Sequence, residues 1–269
     1  MKKITTAIII LLVFNMTAKA QSKLVTLDSY FNDEHRKNAA GALESYHYKW
    51  EETDNNGFSI LADVFKKHGA ALTTLYTAPT AENLKNTAVY IIVDPDTKKE
   101  SPDPKYIFPD NVQVISEWVK NGGVLLLMAN DSANVELPHF NTLAKKFGMH
   151  FTDDLISHVT NDQHFEDGAI PTVNHPIFKT STKLFMKDAC AITVSGSAKA
   201  ELWSGKSIIM ASAAYGKGVV LAVGDPWLYN EYVNGRLPAG FTNDKGADDL
   251  VVWLLSKTAD KNRPSSGGK

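Results

Sequence analysis

The feature that most constrains the fold is a continuous apolar run at residues 88–93, which ends in Asp94-Pro95-Asp96. An apolar run without alternation predicts a strand covered on both faces, as in a parallel sheet between helices. Pro95 has no N–H and cannot continue a central strand, so the strand has to end there. Asp94 and Asp96 are therefore predicted to lie just beyond its carboxyl end.

Further strands and helices alternate along the chain. Apolar runs predict strands at 24–28, 71–76, 124–128 and 218–223, and helical spacing of apolar side chains predicts helices at 58–68, 112–120, 140–147 and 248–255. This alternation predicts an α/β fold with a doubly wound, mostly parallel sheet and helices on both faces. Residues 150–215 lose the alternation and predict a β-rich insertion before the last core strand.

The first twenty residues have the pattern of a secretory signal peptide. Two lysines precede an apolar stretch at 7–14, and Ala-Lys-Ala ends at residue 20. We expect cleavage there, a secreted or periplasmic protein, and no membrane attachment after cleavage. Residues 21–257 are expected to form a single domain, and the polar, Ser/Gly/Pro-containing tail at 258–269 is expected to be disordered.

Charge and motifs argue against several classes of function. Without Lys2, Lys3 and Lys19, the 28 basic residues become 25 against 30 acidic ones, a formal net charge of −5. With no basic stripe, a nucleic acid partner is not expected. The chain has no Gly-x-Ser-x-Gly turn, phosphate loop or dinucleotide fingerprint, and its histidines lack established metal spacings, so neither cofactor nor metal is predicted. The only cysteine, Cys190, lies in a strand-like context typical of a buried, inert thiol.

Polar and aromatic residues follow four of the predicted strands, at 28–35, 94–96, 130–131 and 225–232. In a parallel sheet these ends meet at one edge, where ligands of α/β proteins bind. Rings beside carboxylates and amides suit a saccharide, which has an apolar C–H face and a rim of hydroxyls. The predicted ligand-binding residues are Asp28, Tyr30, Asn32, His47, Trp50, Asp94, Asp96, Trp227, Tyr229 and Asn230.

Three functions remain open from these residues. The first is saccharide binding, for which Arg36, Lys49 and Arg236 are the nearby cations if the ligand is acidic. The second is glycoside hydrolysis by a carboxylate pair, with Asp225 and Glu231 as the candidate catalytic residues. The third is a non-catalytic docking module, in which the acids cap local structure and the aromatic residues pack in the core.

Several segments carry a resemblance to known families. Residues 121–127 and 216–225 resemble the class I glutamine-amidotransferase-like (flavodoxin-like) superfamily. The motifs Asp28-Ser-Tyr-Phe-Asn32, Tyr46-His-Tyr-Lys-Trp50 and Asp94-Pro-Asp96, with residues 224–232, resemble a secreted bacterial domain of uncertain function. That domain occurs alone or beside unsaturated rhamnogalacturonyl hydrolases of glycoside hydrolase family 105.

The resemblance implies an amidotransferase-like fold, acidic plant saccharides of the rhamnogalacturonan or pectin type as ligands, and a pectin-degrading enzyme as partner. Two departures limit it. Amidotransferases carry a cysteine on the turn after a central strand, whereas Asp94 and Asn130 follow the strands here, so glutaminase chemistry is not expected. Family 105 hydrolases carry their catalytic acids on a helical toroid much longer than this chain, so none of those residues transfers.

Overall fold

The structure, a computed structural model, describes residues 22–226 and 230–258, with the exception of the Glu231 side chain. The predicted signal peptide at 1–20 lies outside this part of the chain, as do Trp227 and Tyr229. Of the predicted tail at 258–269, only Thr258 is described, and it is buried at the end of the last helix.

Strands and helices alternate in the first half of the chain, and short strands dominate the second half. In chain order the elements are β1 (Leu24–Asp28), β2 (His35–Lys37), β3 (Leu43–Ser45), α1 (Ser59–Lys67), β4 (Ala71–Leu75), β5 (Thr87–Val93), α2 (Pro109–Lys120), β6 (Val124–Met128), α3 (Leu137–Lys146), β7 (Met149–Ile156), β8 (Ala169–Pro171), β9 (Lys183–Phe185), β10 (Ala189–Val194), β11 (Lys199–Ser204), β12 (Ser207–Tyr215), β13 (Gly218–Val223) and α4 (Asn243–Lys257).

Seven of the strands form one sheet, in the order β11-β12-β13-β6-β5-β1-β4. The five strands from β13 to β4 are mutually parallel, which confirms a mostly parallel α/β sheet. Their carboxyl ends therefore share one edge. Each of the predicted core strands is present, within one residue of its predicted bounds.

The prediction for residues 150–215 needs a correction. Strands β11 and β12 extend the main sheet as antiparallel neighbours of β13 instead of standing apart from it. The reason is the turn at Gly216 and Lys217, because a two-residue connection can only join antiparallel strands. The rest of the region forms two small antiparallel pairs, β7 with β10 and β8 with β9.

The two faces of the sheet are covered by different helices. Ile91 belongs to a core cluster that includes the buried residues of α1 and α4. Its neighbour Ile92 belongs to a second cluster, with the buried residues of α2 and α3. Consecutive residues of β5 thus face opposite apolar layers, which explains why the run at 88–93 shows no polar alternation.

Helix starts differ from their predicted positions. Helix α1 has Phe58 as its N-cap without a side-chain hydrogen bond, although Asp54, Asn55 and Asn56, residue types that commonly cap helices, come shortly before it. Those residues form a separate turn, closed by the Gly57 N–H donating to the Asp54 carbonyl at 2.8 Å. Helix α4 begins at Asn243, five residues before its predicted start. Within the described residues, no helix is both long and apolar enough to cross a membrane.

Candidate functional site

The order of the parallel strands determines where a ligand site is expected. The chain starts in β1, adds β4 on one side, and then continues with β5, β6 and β13 on the other side. In open α/β sheets the crevice lies beyond the carboxyl ends of the strands where the winding direction reverses. Here that position lies between β1 and β5.

Asp28, the last residue of β1, organises the loop that follows. Its Oδ1 accepts the backbone N–H groups of Tyr30 at 3.1 Å and Phe31 at 2.7 Å, and its Oδ2 accepts the Tyr90 hydroxyl at 2.5 Å. Burial raises the pKa of Asp28 to about 6, although these hydrogen bonds act in the opposite direction. Asp28 therefore shapes the loop that carries Tyr30 and Asn32.

Asn32 links that loop to β5 and to a buried lysine. Its Nδ2 donates to the Asp94 carbonyl at 3.0 Å. The Lys49 Nζ donates to the backbone oxygen of Asn32 at 2.6 Å and to its Oδ1 at 2.8 Å. Burial lowers the pKa of Lys49, while the nearby carboxylates of Asp96 and Asp28 oppose that shift.

Asp94 and Asp96 follow β5 and are both buried. Asp94 has a positive φ of 47°, a conformation that Asp tolerates better than most residues. One oxygen of each carboxyl, Oδ1, is shielded and has no hydrogen-bond partner among the described residues. Burial raises the pKa of Asp94 well above its usual range, and the charges of Glu100 and Glu34 add to the effect. Burial likewise raises the pKa of Asp96 to about 7.

His47 lies beside this cluster in a strained backbone conformation, with φ of 69°. Its ring stacks between Tyr46 and Tyr48, with centroid distances of 5.3 and 4.1 Å. Its Nδ1 forms a short hydrogen bond with Oε1 of Glu34. His47 therefore contacts the loop that follows β1, through Glu34.

Trp50 occupies a different environment from the one expected of a ligand-binding ring. Only 6% of the residue is exposed, and the ring packs against Phe58 and Phe65 in the core. Its indole N–H donates to the backbone oxygen of Thr73 at 3.1 Å. Trp50 therefore belongs to the core rather than to an exposed binding face. Tyr30, in the loop after β1, is by contrast only partly buried.

A polar cavity of about 290 Å³ opens next to Lys49, and we call it the β4-end cavity. Its lining residues are Arg36, Glu44, Ser45, Lys49, Glu51, Glu52, Thr53, Asp54 and Tyr76. Tyr76 follows β4 directly and is 59% exposed. Arg36 is already paired with Glu44 at 2.9 Å and with Asp54 at 2.5 Å.

Sequence reasoning missed most of this cavity. The available signal was Tyr76, an aromatic residue at the end of the predicted strand 71–76. The carboxylates reach the cavity from the β2–β3 hairpin and the turn before α1, whose positions depend on long-range contacts. One of them, Glu52, has a shielded Oε1 without a hydrogen-bond partner among the described residues.

A second polar region lies beyond the carboxyl end of β13, at the same edge of the sheet. Asp225 is buried, and its Oδ2 accepts the Lys187 N–H at 2.7 Å. Asn230 is also buried, and its Oδ1 accepts the Tyr232 N–H at 3.2 Å. Because the Glu231 side chain lies outside the description, pairing of Asp225 with Glu231 remains a prediction. Trp227 and Tyr229 remain predictions for the same reason.

Arg236, one of the three cations noted in the sequence, contacts this region. Its guanidinium lies 4.1 Å from the centroid of the Tyr232 ring and pairs with Asp162 at 2.7 Å. Cys190 lies nearby on β10, fully buried, and burial raises the pKa of its thiol. In the part of the chain that is described, no three His, Cys, Asp or Glu side chains are grouped so that they could hold a metal ion.

Comparisons with known proteins concern the fold alone. No protein-family model matches the chain, and no curated protein matches it in sequence. The structure is similar to the mmIFT52 N-terminal domain, with 16% identity, a TM-score of 0.63, and coverage of 87% of this chain and 98% of that one. It is also similar to Cytoplasmic Protein STM3548 from Salmonella typhimurium, with 16% identity, a TM-score of 0.56, and coverage of 88% and 99%.

Two glycosidases contain a similar segment. The exo-β-1,4-mannosidase Op5Man5 from Opitutaceae bacterium strain TAV5 matches with 14% identity and a TM-score of 0.51, over 88% of this chain but 36% of that one. A cold-adapted β-galactosidase from Rahnella sp. R3 matches with 15% identity and a TM-score of 0.53, over 88% of this chain and 31% of that one. At these identities the likeness shows a shared fold.

Proposed function

We propose that the protein binds a saccharide in the β4-end cavity. The observation that carries the proposal is the exposed Tyr76 ring beside a cavity lined with carboxylates, hydroxyls and an ammonium group. An aromatic ring packs against the C–H face of a sugar, and carboxylates accept hydrogen bonds from its hydroxyls. The volume, about 290 Å³, is close to the lower end of the range for ligand pockets, roughly 300–1,000 Å³.

The charges of the cavity favour a neutral sugar. Four carboxylates, from Glu44, Glu51, Glu52 and Asp54, line it together with two cations. Arg36 is neutralised by its own ion pairs, so it offers little attraction to an anionic ligand. We therefore retain the proposed association with rhamnogalacturonan or pectin-type polysaccharides and assign the contact to neutral sugar residues of such a polymer.

Binding agrees with the geometry better than hydrolysis does. Glycoside hydrolysis needs two carboxyl groups in contact with the substrate, on either side of the scissile bond. Asp94, Asp96 and Asp225 are all buried, and none of them lines the β4-end cavity. Of the four carboxylates that do line it, Glu44 and Asp54 are held in ion pairs with Arg36. We propose a binding module without glutaminase chemistry, which acts outside the cytoplasm beside a polysaccharide-degrading enzyme.

The fold supports this proposal in two respects. Along the sheet, the five parallel strands lie in the order β4-β1-β5-β6-β13, so the first of them in the chain lies between the second and the third. Two helices contribute to each apolar layer. That arrangement supports the finer assignment of a doubly wound, amidotransferase-like sheet. The mannosidase and β-galactosidase matches also indicate that similar folds occur as one segment of larger glycosidases.

Calorimetric titration of the purified protein with neutral and uronic acid-containing oligosaccharides tests the proposal. We expect Tyr76→Ala to weaken binding of the neutral sugar by roughly fivefold, since an aromatic contact contributes about 1 kcal/mol. Phe108→Ala is the matched control, because Phe108 is 54% exposed but lies outside the cavity. Equal losses in both variants would contradict the proposed site.

The other outcomes separate the alternatives. New reducing ends in the same samples would show a hydrolase. Tighter binding of uronic acid-containing oligosaccharides would show that the ligand is acidic. Failure of every saccharide to bind would favour the docking module.

A further inference from the structure

A second cavity, which we call the α4 cavity, lies at the N-terminal end of α4. It has a volume of about 200 Å³ and shares no lining residue with the β4-end cavity. Its lining residues are Ile60, Asn230, Val233, Asn234, Gly235, Leu237, Phe241, Asn243, Asp244 and Ala247. This volume is below that of pockets for drug-sized ligands, so it suits one small chemical group.

Asn230 is the polar residue whose hydrogen bonding is incomplete there. The residue is 1% exposed, and its Oδ1 accepts the Tyr232 N–H. Its Nδ2 is shielded and finds no acceptor among residues 22–226 and 230–258. A buried donor without an acceptor is costly. An oxygen atom of a ligand in this cavity would therefore accept the hydrogen bond that the Asn230 Nδ2 otherwise lacks.

The other lining residues indicate the polarity and charge of the rest of the ligand. Ile60, Leu237 and Phe241 present apolar surface, and among the described residues neither lysine nor arginine lines the cavity. Lys183 lies outside the lining, 4.0 Å from the centroid of the Phe241 ring, and pairs with Glu166. Because Asp244 is the one charged residue in the described part of the lining, an anionic ligand is disfavoured.

The first turn of α4 adds a preference for an oxygen acceptor. Its N-cap, Thr242, makes no side-chain capping bond, because its hydroxyl accepts the Thr182 N–H at 3.0 Å and donates to the Lys183 carbonyl at 3.0 Å. The helix N-terminus carries partial positive charge, which favours a carbonyl oxygen nearby. Asp244 in this turn can accept a hydrogen bond from an amide N–H.

We propose that the α4 cavity binds an uncharged N-acyl group. The carbonyl oxygen accepts from the Asn230 Nδ2, the acyl methyl packs against Leu237 and Phe241, and the amide N–H donates to Asp244. An N-acetylated sugar carries such a group. The site is separate from the β4-end cavity, and the proposal does not depend on saccharide binding there.

The test is an NMR titration of the purified protein with N-acetylglucosamine, and with glucose as the matched ligand that lacks the acetamido group. We expect shifts at Asn230 and Ala247 with N-acetylglucosamine alone. Asn230→Asp keeps the Oδ1 acceptor but removes the donor, and it should weaken binding roughly tenfold. Phe108→Ala, at an exposed residue outside both cavities, should leave this affinity unchanged.

Leu237→Ala provides a second variant in case Asn230→Asp fails to fold, which thermal unfolding would reveal. Leu237 is only partly buried in a loop, and its truncation should weaken binding several-fold through lost apolar contact. The proposal is overturned if N-acetylglucosamine does not bind at tens of millimolar or if glucose produces the same shifts. It is also overturned if folded variants of the α4 cavity bind like the wild type, or if only Tyr76→Ala weakens binding.

Discussion

The Nζ atom of Lys49 donates hydrogen bonds to the backbone oxygen of Asn32 at 2.6 Å and to its side-chain Oδ1 at 2.8 Å. Asn32 in turn donates to the backbone of Asp94 at the end of β5. The lysine therefore connects the segment before α1 to the loop after β1 and, through it, to β5. It also places a positive charge beside Asp28 and Asp96, two buried acids of the sheet edge.

We expect Lys49→Met to lower the free energy of unfolding by about 3 kcal/mol, the cost typical of removing one partner from a buried charged network. Methionine fills much of the space but leaves the Asn32 oxygens without their donor. Urea unfolding at neutral pH measures the change. Lys66→Met is the control, because Lys66 is exposed and its pair with Asp63 contributes little. A loss no larger than that of the control would contradict this role.

Asp96 predicts a pH dependence of stability. Its pKa is about 7 in the folded protein against an ordinary value of 3.8, so the native state keeps a proton that the unfolded chain loses above about pH 4. Stability should therefore fall as pH rises from about 4 to about 7 and then level off. Asp28, with a raised pKa of about 6, contributes in the same direction.

Asp96→Asn should remove most of this dependence, because the amide stays neutral and its oxygen can still accept the Asp33 N–H. We expect the variant to exceed the wild type in unfolding free energy by more than about 1 kcal/mol at pH 8 and to match it near pH 4. Urea unfolding across this pH range tests the prediction. Asp63→Asn, on an exposed part of α1, should follow the wild-type curve, and parallel curves for Asp96→Asn would refute the assignment.

Gly224 marks a close approach between β13 and β10. A Cβ atom at this position would lie 2.1 Å from the Cys190 carbonyl oxygen, and the Gly224 carbonyl accepts the Cys190 N–H at 2.9 Å. Gly224→Ala should therefore destabilise the protein by about 2–3 kcal/mol, since backbone atoms have to move apart. Chemical denaturation measures this change.

The comparison variant for that prediction is Gly69→Ala, in the turn after α1. Gly69 has a φ of 77° but open space around it, so the substitution costs only the backbone strain, about 1 kcal/mol. If the two variants are equally stable, the contact between β10 and the end of β13 is looser than the structure indicates.

Much of the fold could be predicted because local signals were strong. The unbroken apolar run that ends at Asp94-Pro95 identified a strand covered on both faces, and β5 is that strand. The same reasoning placed polar residues beyond the ends of β1, β5, β6 and β13, and the parallel pairing brings these ends to one edge. The antiparallel extension of the sheet by β11 and β12 could not be predicted in this way, because it depends on pairing between strands.

Side-chain exposure could not be read in the same way. Trp50 and Tyr76 are both large aromatic residues, yet Trp50 packs in the core and Tyr76 is exposed beside a cavity. Helix α1, which packs against Trp50 through Phe65, makes this difference. Such contacts join residues far apart in sequence, and periodicity within a segment carries no information about them.

The sequence by itself determined the class of the fold, the positions of the core strands and the polar character of their carboxyl ends, because hydrophobic periodicity and chain breaks such as Pro95 act locally. Only the tertiary structure decided which polar groups became buried partners, as with Lys49 and Asn32, and which ones surround a cavity. Those outcomes depend on how separate segments meet, and burial then sets the hydrogen bonding and the pKa of each group.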